Sequence, residues 1–170
     1  CIDGGGILGT FPASFLACLE QHLDQPIGSY FDLIAGTSTG GIIAIGLAMG
    51  LRASDLLDLY EKRGPEIFGD GHGPAADYLY RMLRAFRWSY RSKHDPGSLR
   101  TVLTDVLGDK RIGNARTRLL IPAWNPVARS VYIYKTAHHR RLRNDFKSFA
   151  VDPALATAAA PTYFSHHVTQ

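Results

Sequence analysis

A serine fenced by small residues sets the tightest constraint on this chain. In residues 35–41, AGTSTGG, Ser38 has Gly36 two places before it and Gly40 two places after. The run YFDLIAG leads into this stretch, and the wholly apolar TGGIIAIGLAMG leads out of it. The first reads as a short buried strand and the second as a buried helix ending at Gly50. So sharp a passage from strand to helix forces the backbone on either side of the serine into contact. Side chains are therefore excluded there, and the hydroxyl is held out at the sheet edge. This is the context of a nucleophile elbow, and it is the placement between strand and helix, more than the bare GxSxG pattern, that gives the motif its weight.

A serine that attacks a carbonyl needs hydrogen-bond donors for the oxyanion it creates, commonly the N–H of the next residue and amides of a glycine-rich loop. The next residue is Thr39. The chain opens CIDGGGILGTFPA, where Gly4, Gly5 and Gly6 stand between an apolar stub and a helix. A structural turn manages with one or two glycines, because each costs conformational entropy. Three in a row allow the backbone to approach a substrate and turn successive amides toward one point. Asp3 reads as a brace for this loop rather than a proton carrier.

The remaining pattern alternates strands with helices. Residues 11–23 carry Phe15, Leu16, Leu19 and Leu23 at helical spacing, Ser54 is placed to cap DLLDLYEKRG, and Gly64 with Pro65 is expected to stop that helix. Ser98 is placed to cap LRTVLTDVLG, RLLIPAWN and SVYIYKT read as strands, and Asp152 with Pro153 starts a last helix in ALATAAAP. This predicts an α/β domain over residues 1–170, a mostly parallel sheet with helices on both faces. Residues 69–97 read as an insertion or lid-like segment. Cys1 and Ile2 read as the end of a strand begun earlier and SHHVTQ as neither helix stop nor tail, so the chain is expected to be a fragment cut at both ends.

Charge is unevenly spread. Residues 81–147 hold sixteen of the nineteen Lys and Arg against four acids, interleaved with Phe86, Trp88 and Tyr90. This half either faces an anionic membrane as a peripheral contact or is a solvated basic face. Two cysteines, Cys1 and Cys18, exclude a disulfide framework and fit a reducing, cytoplasmic setting. No run of eighteen apolar residues is present.

Three motifs in order carry a family resemblance. DGGG at the start, GTSTGG about thirty residues later and ATAAAPTYF near the end resemble the patatin-like phospholipase family over essentially the whole chain. The resemblance implies a three-layer α/β sandwich, a serine–aspartate dyad without histidine, an oxyanion hole in the glycine loop, and phospholipids or other acyl-ester lipids as substrates. It assigns Ser38 as nucleophile and Gly4, Gly5 and Gly6 as donors, with no metal and no cofactor. GTSTGGIIAIGLAMG, IPAWNP and YKTAHH resemble bacterial members that include membrane-degrading effectors of nucleotide-activated anti-phage defence. That implies a cyclic-nucleotide activator; no nucleic-acid polymer is expected as a partner.

Three departures accompany it. Leu8 stands where the family usually has Arg or Lys, and Ala158 where serine is common. No Asp-Gly-Gly or Asp-Gly-Ala follows Phe164, so the dyad aspartate is expected beyond this chain and residues 1–170 alone are expected to be inert. The alternative is an α/β-hydrolase esterase with a Ser-Asp-His triad, whose base would be His139 or His166. His138 and His139, beside Arg140, Arg141 and Arg143, otherwise read as a solvated basic face rather than a metal site, and His166 and His167 are weak candidates for metal ligands or a triad base, since neighbours on a strand point to opposite faces. A nucleotide-binding loop is the weakest reading, because neither GxxxxGK[ST] nor GxGxxG spacing occurs.

Overall fold

The computed structural model describes residues 1–68 and 96–159. Its sheet has the order β1-β2-β3, with β1 at Leu33–Ala35, β2 at Arg118–Asn125 and β3 at Ser130–Lys135. β1 runs parallel to β2 with Ala35 beside Leu120, and β3 runs antiparallel to β2 with Trp124 opposite Val131. Four residues join β2 to β3, too few for a crossover, so the two strands form a hairpin. The side chain of Asn125 fastens its turn by accepting the N–H groups of Val127 and Ala128. On the far side of β1, Ile2 pairs in parallel with Gly36, so the apolar stub takes a strand's place.

The α/β architecture expected from the alternating pattern is present. Five helices are described: α1 (Thr10–Glu20), α2 (Thr39–Ala48), α3 (Ala53–Phe68), α4 (Pro96–Leu107) and α5 (Val151–Ala158). α2 is buried along its whole length, touching β1, β2, α3 and α5. It has no polar face because it has no solvent face. The alternating residues Leu119, Ile121 and Ala123 of β2 and Ile34 of β1 are buried, and α2 and α5 pack against these strands. The segment read as an insertion lies, up to residue 95, outside the described residues.

Local expectations shift where packing overrides pattern. α1 turns Ala13, Ala17 and Glu20 inward, and leaves Phe11, Phe15 and Leu19 exposed, Phe11 by 79%. Small residues win the inner face because α1 and α3 lie close together, as the tight fit of Gly9 against Thr39 and Tyr60 shows for the turn that enters α1. α3 runs through Gly64 and Pro65 to Phe68. Gly64 is packed against Ile7, where a Cβ would come within 2.9 Å of Cδ1, so tertiary contact holds a helix that local propensity would end. Ser54 and Ser98 lie inside α3 and α4 rather than at their caps.

The cap of α3 comes from elsewhere. Glu20, only 4% exposed, accepts the Ile27 N–H and the Ala53 N–H, both at 2.8 Å. One carboxylate thus ties the end of α1 to the start of α3, where the helix dipole also favours negative charge. Glu20→Ala strands two buried donors and is expected to lower unfolding free energy by about 3 kcal/mol or more. Denaturant titration measures it, and Glu20→Gln, which keeps an acceptor, is expected to lose less.

Candidate active site

The elbow is built by contacts that only glycine permits. A Cβ on Gly36 would lie 2.2 Å from the Gly40 carbonyl oxygen, and one on Gly40 would lie 2.2 Å from the carbonyl oxygen of Ile2. Chain thus presses on chain at both positions. Between them Ser38 has φ 55° and ψ −127°, a conformation that L-residues rarely adopt and that the surroundings must hold in place. Its position just before Thr39, the first residue of α2, sets the half-buried hydroxyl at the positive end of a buried helix.

A threonine 119 residues away holds the turn. Thr157 on α5 accepts the Ser38 N–H at 2.9 Å and donates its hydroxyl proton to the Pro122 carbonyl of β2 at 2.7 Å. One side chain therefore joins the strained residue to the sheet. Sequence reasoning passed over it, although a lone hydroxyl in the run ALATAAAP of a buried helix is the kind of signal that marks a required hydrogen bond.

The glycine loop lies beside the elbow. A Cβ on Gly4 would meet Ser38 Cβ at 2.8 Å and the Thr37 carbonyl oxygen at 2.9 Å. Gly5 donates its N–H to Thr39 Oγ1 at 3.1 Å, and Gly6, at φ 59°, begins the 3-10 turn Gly6–Gly9. Thr39 is fixed in turn by Tyr60, whose hydroxyl donates to the Thr39 carbonyl at 3.0 Å. Burial pushes the Tyr60 phenol above its usual range, so it stays a donor. The Thr39 N–H, at the helix start, has no partner within its own helix. Gly4, Gly5, Gly6, Ser38 and Thr39 are thus brought together.

Asp3 braces this assembly through its main chain, since the Cβ that Gly40 lacks would lie 2.5 Å from the Asp3 carbonyl oxygen. Leu8 is exposed and Ala158 is buried as packing. No carboxylate or imidazole among the described residues is hydrogen-bonded to the Ser38 hydroxyl. Thr136, which follows β3, bonds to Leu119 near the start of β2, whereas Ser38 follows the opposite end of the sheet. His138 and His139 come after Thr136, so neither is placed to serve Ser38. His166 and His167 lie outside the described residues, as do Phe86, Trp88 and Tyr90. Among the described residues no group of three His, Cys, Asp or Glu is clustered as a metal site would require, and no helix is long and apolar enough to cross a membrane.

The family model for patatin-like phospholipase matches residues 1–170. A cGAMP-activated phospholipase of Pseudomonas aeruginosa is 43% identical over 163 residues, 96% of this chain and 46% of that protein. Another, from Vibrio cholerae serotype O1, is 35% identical over 174 residues, 98% of this chain and 48% of that protein. Patatin-like protein 2 of Oryza sativa subsp. japonica is 34% identical over 182 residues, 98% of this chain and 43% of that protein. The chain spans about half the length of these relatives.

Thr157→Val keeps the shape of the side chain but removes the acceptor for Ser38 and the donor to Pro122. It is expected to lower unfolding free energy by about 1–3 kcal/mol and to speed hydrogen exchange at the Ser38 amide. Thr157→Ser, which keeps the hydroxyl, is expected to restore protection of that amide, measured by hydrogen exchange in both variants.

Proposed function

The chain belongs to the patatin-like phospholipase family, and on that premise we propose that it supplies the nucleophile and oxyanion hole of a lipid acyl hydrolase of the phospholipase A type. The observation that carries this reading is the backbone of Ser38, held at φ 55° on a turn braced by glycine contacts, with the loop of Gly4, Gly5 and Gly6 packed beside it. A strained backbone at a serine between strand and helix is the geometry of a nucleophile held in attacking position.

In the proposed reaction Ser38 Oγ adds to the ester carbonyl of the lipid, and its proton passes to a base. The carbonyl oxygen, now negative, is met by the Thr39 N–H and by amides of the glycine loop. The Gly5 amide already bonds to Thr39 Oγ1, so its part is to anchor the loop, and the donor role falls to Gly4 and Gly6 together with Thr39. The tetrahedral intermediate collapses, the alcohol portion leaves with the proton, and water releases the fatty acid from the acyl-serine. The family pattern puts the base on an aspartate after the APTYF segment, beyond residue 170. That two bacterial relatives are cGAMP-activated phospholipases supports a cyclic-nucleotide activator. The basic half of the sequence supports peripheral contact with anionic lipid. The triad alternative gains nothing from His139, which lies at the wrong end of the sheet.

In the intact enzyme, Ser38→Ala is expected to abolish release of fatty acid from phospholipid vesicles without loss of folded structure, because the elbow accepts small side chains. A fluorophosphonate probe is expected to label Ser38 alone; persistent turnover in the alanine variant, or labelling at another serine, overturns the assignment. Residues 1–170 by themselves are expected to show no serine-dependent turnover, since an unassisted hydroxyl is a poor nucleophile at neutral pH.

A further inference from the structure

The loop of Gly4, Gly5 and Gly6 is exposed or half-buried, and three glycines without side chains have little of their own to fix a shape. Both polar groups of the middle residue are nevertheless in use. The Gly5 N–H donates to Thr39 Oγ1 at 3.1 Å, and the Gly5 carbonyl accepts the Leu8 N–H, also at 3.1 Å. In a trans peptide the N–H points opposite to the carbonyl that shares its plane, and no peptide here is cis. The bond to Leu8 therefore turns the Gly6 N–H away from the 3-10 turn, while the bond to Thr39 fixes the peptide plane on the Gly4 side.

Thr39, 2% exposed, meets this turn at both ends. Its hydroxyl takes the Gly5 proton where the turn begins, and a Cβ on Gly9, where the turn ends, would lie 3.1 Å from Thr39 Cβ. α3 presses on the same assembly. Tyr60 donates its hydroxyl proton to the Thr39 carbonyl at 3.0 Å and sets its ring 3.2 Å from the place of that Gly9 Cβ. Gly64, four residues on and so on the same face of α3, lies against Ile7 of the turn. Among the described residues neither Tyr60 nor the Thr39 hydroxyl is hydrogen-bonded to Ser38 Oγ. The tether is also poorly suited to a stabilising task. Gly5 is exposed, so water can take its N–H when Thr39 cannot, and little folding free energy is lost.

We propose that the side chains of Thr39 and Tyr60 are positioning residues for the reaction: Thr39 Oγ1 sets the aim of the donors on either side of Gly5, and Tyr60 sets Thr39. This rests on the hydrolase reading. The oxyanion exists only while the bond to Ser38 forms, so donors must be aimed before it appears. A loop left to water has to be ordered at that moment, and a misplacement of about 1 Å costs on the order of 10²-fold in rate. α3, which offers no group to the reacting atoms, thereby governs the rate through the loop it holds.

The test uses the intact enzyme with cGAMP present and a soluble chromogenic ester, which reads the chemical step without the membrane. Thr39→Val keeps the branched shape against Gly9 and removes the acceptor; it is expected to lower kcat about tenfold or more while KM stays nearly unchanged. Thr39→Ser, which keeps the hydroxyl, is expected to recover most of the rate. Tyr60→Phe, which keeps the ring against Gly9, is expected to lower kcat by a smaller factor. Folding is checked by thermal melting, and hydrogen exchange at the Gly5 amide is expected to speed up in the valine variant and return in the serine variant. Rates that follow melting temperature across the three variants, rather than the presence of the hydroxyl, overturn the proposal. So does a rise in KM at constant kcat, which makes the contact one of substrate binding. If Thr39→Val does not fold, Tyr60→Phe carries the test, and a kcat equal to that of the unaltered enzyme overturns it. Ser38-dependent turnover with kcat unmoved in the variants removes the positioning role and leaves the hydrolase reading; no Ser38-dependent turnover in the unaltered enzyme removes both.

Discussion

The close approach of Gly36 to Gly40 is the contact on which the rest of this structure depends. A strand and a helix meeting across two glycines fix the direction of α2 relative to the sheet, and everything that packs on α2 inherits that direction. The residue between them must then take a backbone conformation costing on the order of 1–3 kcal/mol. It is held by burial of all ten residues of α2 and by the two hydrogen bonds of Thr157. The strain at Ser38 is local, whereas the structure that maintains it extends to β2, α5, the glycine loop and Tyr60.

Much of this was legible where the physics is local. The spacing of Gly36, Ser38 and Gly40, the polar-free run of α2, the branched residues of β2 and the stub at Ile2 each state a steric or hydration requirement that a few neighbouring residues settle. What was not legible comes from partners far apart in sequence. Phe15 and Leu19 have helical spacing, yet the inward face of α1 is Ala13 and Ala17, because helix proximity rather than side-chain hydrophobicity decides that interface. Ser54 resembles a cap, yet the groups at the start of α3 answer to Glu20, thirty-three residues away from Ala53. Pro65 resembles a stop, but α3 continues through it. Arg116, Arg118 and Arg143 belong to a basic stretch of the sequence and line a cavity only after β2, β3 and the following loop have folded together.

The molecule separates its chemistry by the two ends of one sheet. At the end where β1 gives way to α2, the available groups are main-chain amides, a hydroxyl and a helix dipole, with side chains trimmed to glycine so that backbone can lie against backbone. At the other end they are long cationic side chains around a hollow. The exposed apolar residues Leu8, Phe11 and Phe15 lie on the turn and helix that follow the glycine loop.

The bond between Ser38 and Thr157 also sets a schedule. Ser38 leaves the ribosome well over a hundred residues before the hydroxyl that holds its amide. Until α5 has been made and has docked on β2, the Ser38 amide lacks its acceptor, and the strained turn has only its glycine contacts and the packing of α2 to hold it. The fixed orientation of this serine is thus a property of the fold that includes α5, not of the segment in which the serine lies.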